Sequence, residues 1–303
     1  MKNKGSTYFS ELFLPVDLAT IFYVLISGLY LCFGSINFPA LLPHLIIRIF
    51  ILVLIVVLSK LQRRFSANKP LQFIRNFYPL LFLVFFYAET SSLKNTVFTT
   101  NLDNYFFNAE QKIWGFQPSI VFSKVMNREW FNEMMNMCYF SYYILIPLVC
   151  FALYFKKPAQ SVKGVFTVIF SFYLYYIIFC VLPVAGPQYY IIDQAYPTIT
   201  PHFFGNIMHN ILTNHEEPTG AFPSSHVGIA VIINYLAFVH LKKLFFITLP
   251  FVVGICFATV YTRAHYLVDV FGGLVSAPLF IFLSYKVYNK FDPDNHLKTR
   301  MTL

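Results

Sequence analysis

Two short stretches hold the residues best able to do chemistry. One is Pro223-Ser224-Ser225-His226; the other is Arg263-Ala264-His265, with Asp269 four residues beyond the histidine. Two histidines, a carboxylate and nearby hydroxyls suffice for phosphoryl transfer through a phosphohistidine. On a helix, positions i and i+4 share a face, so Asp269 is expected to accept a hydrogen bond from one nitrogen of His265. That fixes the tautomer and leaves the other nitrogen as a nucleophilic lone pair. The carboxylate also stabilises the positive charge that grows as the imidazole attacks phosphorus. A structural His–Asp helix cap is the plainer reading of this pair taken alone.

In the first stretch, proline suits the opening turn of a helix. Ser224 and Ser225 bring hydroxyls to an end with free N–H groups and a dipole that favours anions. A phosphate fits there, with His226 placed to protonate the leaving oxygen. Alone, an N-cap serine beside an incidental histidine would explain the stretch; paired with His265 and Asp269 it reads as half of one site. Arg263 is the one arginine adjacent in sequence and is expected to clamp the phosphoryl oxygens, against the alternative of a snorkelling interfacial side chain. Gln188, after Gly186-Pro187, offers an amide donor. No metal or cofactor is expected.

The elements that must position these residues are membrane spans. The chain is 57% hydrophobic and 12% charged, with 37 Phe and 21 Tyr, whereas soluble domains carry roughly 25% charge. Eight apolar segments, about 17–35, 41–59, 74–91, 137–155, 164–183, 225–241, 245–262 and 266–286, each approach the ~20 residues that cross a bilayer. The expected fold class is all-α: a polytopic transmembrane helix bundle of about eight spans, with a six-helix catalytic core plausible. Residues 1–100 form N-terminal membrane spans and 101–303 a catalytic membrane domain. In the outer connection 92–136, Trp114, Phe116, Ile120, Val121, Val125, Met126, Trp130 and Phe131 recur at near-helical spacing, which predicts one or two amphipathic interfacial helices. The outer connection 184–222, with His202, His209, His215, Glu216 and Glu217, reads as a solvated loop. Glu89 and Glu133 read as partners for cations, and His44, His240 and His296 belong to no constellation. The five cysteines are read as free thiols.

Of the 22 lysines and arginines, Lys94, Lys112, Lys124, Arg128 and Arg263 lie on one set of alternate connections and Arg48 lies within a span. All the others, from Lys2 and Lys4 to Lys298 and Arg300, lie on the opposite set. The positive-inside rule then puts both termini in the cytoplasm and His226, His265 and Gly186-Pro187-Gln188 at one depth on the extracytoplasmic side. The net charge of +9 is thus a topology signal, and no nucleic-acid partner is expected.

The two motifs together resemble those of the phosphatidic acid phosphatase type 2 superfamily, P-S-x-H followed by H-x-x-x-D on neighbouring spans. The resemblance implies His265 as nucleophile, Asp269 as its orienting partner, His226 as general acid and then base, and Ser225 as a phosphate contact. More narrowly, Asp103 through Trp114-Gly115-Phe116-Gln117-Pro118, Glu133, Tyr139-Phe140-Ser141-Tyr142-Tyr143 and Pro183-Val184-Ala185-Gly186-Pro187 resemble the inositol phosphorylceramide synthase branch. Gln188 stands where that branch has arginine, and Thr259 where an arginine commonly precedes the second histidine. Phosphate-binding cations are therefore sparse.

The expected function is an integral membrane lipid phosphatase or phosphotransferase. It would pass a phosphoryl or phosphoalcohol group from a phospholipid or lipid phosphate to water or to a lipid hydroxyl such as that of ceramide or diacylglycerol. The alternative is a catalytically weak or inactive membrane protein that binds phosphorylated lipids. The oligomeric state is not legible.

Overall fold

The computed structural model describes residues 12–33, 38–94, 97–191, 202–214 and 217–292. Lys2, Lys4, His215, Glu216, His296, Lys298 and Arg300 lie outside the described residues. Every regular element among the described residues is a helix: α1 (Pro15–Phe33), α2 (Phe38–Arg64), α3 (Lys69–Leu93), α4 (Asp103–Trp114), α5 (Pro118–Val125), α6 (Glu129–Lys156), α7 (Pro158–Val181), α8 (Pro187–Tyr190), α9 (Phe203–Asn214), α10 (Ser225–His240), α11 (Lys242–Tyr261) and α12 (Leu267–Phe291). Seven of them are long and apolar enough to cross a membrane, and the protein is an integral membrane protein. The eighth expected span is α10. Its 16 residues make a rod about 24 Å long, short of a ~30 Å hydrocarbon core.

The bundle is built around α7, whose most apolar window is 72% buried, against 22% for the peripheral α2. Helices α6, α10, α11 and α12 pack on one another beside it, and α1 and α3 pack on its other flank. Two buried ion-pair groups hold the N-terminal helices together. Arg75 donates to Asp17 at 2.9 Å and to Ser59, while Tyr78 donates to the other Asp17 oxygen. Arg48 grips both oxygens of Glu89 at 2.6 and 2.7 Å, and His44 Nδ1 meets the same carboxylate at 2.6 Å. Ionised groups in hydrocarbon persist only when paired in this way. Glu89 is thus a partner for cations, as its place in the sequence suggested, and His44 joins that constellation. Glu133 has no cation partner among the described residues and instead accepts the backbone N–H groups of Phe204 and Gly205 at the start of α9. A helix start carries orphan donors and a positive dipole end, which a carboxylate satisfies.

Close approach at Gly228 seats α10 in the bundle. A Cβ there would lie 1.6 Å from Tyr175 Oη and 3.2 Å from the Gly273 carbonyl. Small residues let membrane helices meet at backbone distance. Gly228→Val is expected to cost at least ~1–3 kcal/mol by overpacking. A thermal-unfolding scan in detergent checks this; an unchanged midpoint would show that the helices can separate without loss.

The stretch 103–125 forms the two short helices α4 and α5 that its spacing predicted, but Trp130 and Phe131 belong to the first turn of α6. Part of the connection read as a solvated loop is the helix α9. Its Met208 and Gly205 are buried while His209 is exposed. Here Glu133 supplies the helix start that the local sequence does not. Cys32, Cys138, Cys150, Cys180 and Cys256 are all free thiols.

Candidate active site

The loop 221–224, the start of α10 and the loop 262–266 meet beside α6. Ser224 is the N-cap of α10, and its Oγ accepts from Val227 N at 3.3 Å. Pro223 therefore precedes the cap instead of occupying the first turn. Ser224 N donates to the Asp269 carbonyl at 3.0 Å, which stitches the start of α10 to the first turn of α12. Ser225 and His226 then point into the space between the elements, where both are buried.

The two histidines touch. His226 Nδ1 lies 3.1 Å from His265 Nε2, and both rings are buried. His265 Nδ1 lies 2.8 Å from the Ala221 carbonyl. A carbonyl only accepts, so Nδ1 carries the proton and, in the neutral ring, Nε2 is the lone pair. His226 must then donate from Nδ1. The contact directs the Nδ1 proton of His226 at the Nε2 lone pair of His265.

Asp269 holds His265 less directly than helical spacing suggested. His265 lies before α12, whose N-cap is Tyr266. Asp269 Oδ2 accepts from Tyr266 N at 2.7 Å and stands 3.6 Å from His265 Nδ1. The carboxylate therefore caps the helix and presents its charge to the imidazole, while the Ala221 carbonyl makes the direct bond. The i,i+4 expectation assumed that both residues were helical.

Arg263 has a left-handed backbone (φ 61°) and a buried side chain. Its Nε and Nη2 lie 3.2 and 3.1 Å from Ser123 Oγ on α5. Its carbonyl accepts from Gln188 N at 2.9 Å. Gln188 is brought in by Gly186, which has φ 99° and where a Cβ would lie 2.6 Å from the Ala264 carbonyl. Only glycine fits so close a crossing of two loops in that backbone region. Gln188, Ser225, His226 and His265 line a cavity of about 10 Å³, roughly the room of one water. Thr259 is buried in α11; its hydroxyl donates to the Ile255 carbonyl and its own carbonyl accepts from His265 N.

Three features were not singled out in the sequence. Lys94, read as a topology charge, is nearly buried and donates to the Pro218 carbonyl at 2.7 Å. It steadies the loop that delivers the Ala221 carbonyl to His265, and burial lowers its ammonium pKa. Tyr139 and Tyr142 wall in His226, with ring centroids at 4.9 and 4.5 Å. Their pattern contributed to the branch resemblance, but spacing alone did not say that they face a histidine. The third is an apolar cavity of about 590 Å³ between α3, α6 and α7, with Leu83, Tyr142, Ile146 and Tyr176 in its walls, that ends at Ser225 and His226. Among the described residues no group of three or more His, Cys, Asp or Glu side chains is arranged to hold a metal ion.

A helical membrane bundle with two abutting histidines and a carboxylate beside one of them defines a class of phosphate-handling membrane proteins. Residues 105–283 match the family model of the PAP2 superfamily, which covers more than half of the chain and includes His226, His265 and Asp269. The chain belongs to the PAP2 superfamily, and membership points to phosphatase or phosphotransferase activity. No curated protein and no solved structure matches it. Helices α1–α3 lie outside the matched region.

Proposed function

We propose that the protein cleaves a phosphate ester of a membrane lipid through phospho-His265. The direct contact of His226 and His265 at the end of an apolar cavity carries this reading. His265 Nε2 attacks phosphorus, the ester P–O bond breaks, and the leaving oxygen takes the proton from His226 Nδ1. The phosphorylated ring becomes cationic, and Asp269 and the Ala221 carbonyl stabilise its Nδ1–H. His226, now a base, takes the proton of the incoming hydroxyl as that oxygen displaces His265. Substrate binding must first part the two rings, because the 3.1 Å contact occupies the nucleophilic lone pair.

Arg263 supplies the positive charge nearest in sequence to the phosphoryl group, and Ser224, Ser225 and Gln188 supply neutral donors. The charge distribution supports a site on the extracytoplasmic side with both termini in the cytoplasm. The large cavity supports a lipid substrate, since its volume lies in the range of ligand sites and its walls suit hydrocarbon. The branch resemblance favours a lipid hydroxyl, of the ceramide or diacylglycerol type, as acceptor.

Purified protein given a headgroup-labelled phospholipid, with and without added ceramide or diacylglycerol, tests the reading. Label on the added lipid supports transfer, and free phosphate or phosphoalcohol supports hydrolysis. No product from several donors would oppose both and favour a protein that only binds phosphorylated lipids.

The cavity makes its own prediction. Ile146→Trp is expected to lower kcat/KM about tenfold for a dioleoyl substrate, the equivalent of ~1.4 kcal/mol of overpacking, and much less for a dibutyryl one. Equal losses for both chain lengths would detach the cavity from substrate binding.

A further inference from the structure

Helix α4 lies across the loops that carry the histidines. Asp103 and Glu110 are seven residues apart, two turns along one face, and both are buried. Asp103 Oδ2 accepts from Ala185 N at 2.9 Å, and Oδ1 accepts from Gly186 N at 2.8 Å and from Tyr266 Oη at 3.2 Å. Between them on the same face, Phe106 packs on Phe222 and Tyr266, with centroids at 4.9 and 6.0 Å. Glu110 Oε1 accepts from Val268 N at 3.2 Å. Leu102 N donates to the Pro183 carbonyl. One helix thus meets residues 183–186, Phe222 and residues 266–268.

We propose that α4 is a splint for the catalytic loops and that Asp103 and Glu110 are positioning residues which fix His265 and Asp269 for phosphoryl transfer. The role rests on the proposed reaction, but the bracing itself does not. Asp103 turns two successive backbone N–H groups and the Tyr266 hydroxyl toward one carboxylate. It thereby sets the distance between the Gly186 loop and the loop of His265. Glu110 satisfies an orphan donor of α12, the Val268 N–H, that Asp269 does not reach. Its other oxygen, Oε2, is buried without a hydrogen bond among the described residues. Burial and, to a lesser degree, the charge of Asp269 raise its carboxyl pKa to about 7, against the opposing pull of the nearby Val268 and Leu267 N–H groups. The one bonded oxygen, Oε1, accepts from Val268 N in the ionised and the neutral form alike.

The two residues should therefore respond oppositely to replacement by an amide. Both Asp103 oxygens accept, so Asp103→Asn turns an NH2 toward a backbone N–H. Glu110→Gln keeps the single acceptor in use. The test combines hydrogen exchange, followed by mass spectrometry in detergent, with turnover of dioleoyl phosphatidate. Asp103→Asn is expected to speed exchange across 183–190 and to lower kcat roughly 100-fold with KM within about twofold, the cost of a misplacement near 1 Å. Glu110→Ala should speed exchange across 266–270 and lower kcat on the order of tenfold, and Glu110→Gln should restore both.

Unchanged exchange and kcat in Asp103→Asn would overturn the proposal, as would equal damage from Glu110→Gln and Glu110→Ala. If Asp103→Asn does not fold, the Glu110 pair decides alone. If exchange changes as expected but wild-type protein turns over no lipid phosphate, the splint stands and the proposed function fails.

Discussion

Alanine at His265 is expected to lower product formation by about 10⁴-fold or more, equivalent to ~5.5 kcal/mol of transition-state stabilisation. The expectation rests on a single lone pair. The Ala221 carbonyl holds the proton on Nδ1, so Nε2 is the one nitrogen of that ring able to attack. No other side chain in the contact can replace it, since His226 presents a proton there. The His265→Ala protein should keep its fold, because the ring packs in a loop while the helices are held elsewhere. The assay compares kcat of wild type and variant with the same lipid in the same micelles. Turnover within tenfold of wild type would mean that the phosphoryl group never resides on His265.

The second large effect concerns His226 and depends on the leaving group. Removing a general acid costs roughly 10²–10⁴-fold when the leaving oxygen needs a proton. Nitrophenolate leaves without one. His226→Ala should therefore lose at least about 100-fold on a lipid ester, but far less in the first, bond-breaking step on a p-nitrophenyl ester. The second step still needs a base to activate the acceptor. The variant should release one burst of nitrophenol per protein and then stall with the phosphoryl group on His265. Rapid-mixing absorbance resolves the burst. Equal losses on both substrates, with no burst, would assign His226 to substrate positioning in place of proton transfer.

Vanadate offers an independent check. A five-coordinate vanadium held by His265 Nε2 would imitate the phosphorus at transfer, and micromolar inhibition is expected from the tighter binding of transition-state mimics. His265→Ala should lose vanadate binding, read as vanadate protection of 264–270 against hydrogen exchange. Equal protection in both proteins would place the anion elsewhere.

Much of the bundle was legible because apolar runs of span length have few alternatives in a chain this poor in charge. The His226, His265 and Asp269 set was legible because buried polar groups near membrane spans rarely lack a task. What failed was geometry fixed by tertiary partners. Spacing suggested that Asp269 bonds His265. In the structure the helix starts one residue after Tyr266, so the Tyr266 N–H takes that oxygen and a carbonyl from another loop serves the imidazole. Asp103 and Glu110 sit on an amphipathic helix, where carboxylates usually face solvent; nothing local shows that the protein folds over them. Helix α9 was hidden for the same reason, since its start is capped by Glu133, some 70 residues earlier in the chain. Arg263 was expected at the phosphate from adjacency alone. Its backbone is left-handed and its guanidinium also reaches Ser123 on α5, a contact that adjacency does not show.

The most direct test of the account is to trap the covalent intermediate. His226→Ala protein would be mixed with a phosphoryl-labelled p-nitrophenyl ester, quenched in alkali and mapped by mass spectrometry under conditions that preserve phosphohistidine. The account predicts label on the peptide containing His265, stable to base and lost in acid, and none when His265 is also alanine. Label on a serine peptide, or unchanged labelling in the double variant, would contradict it.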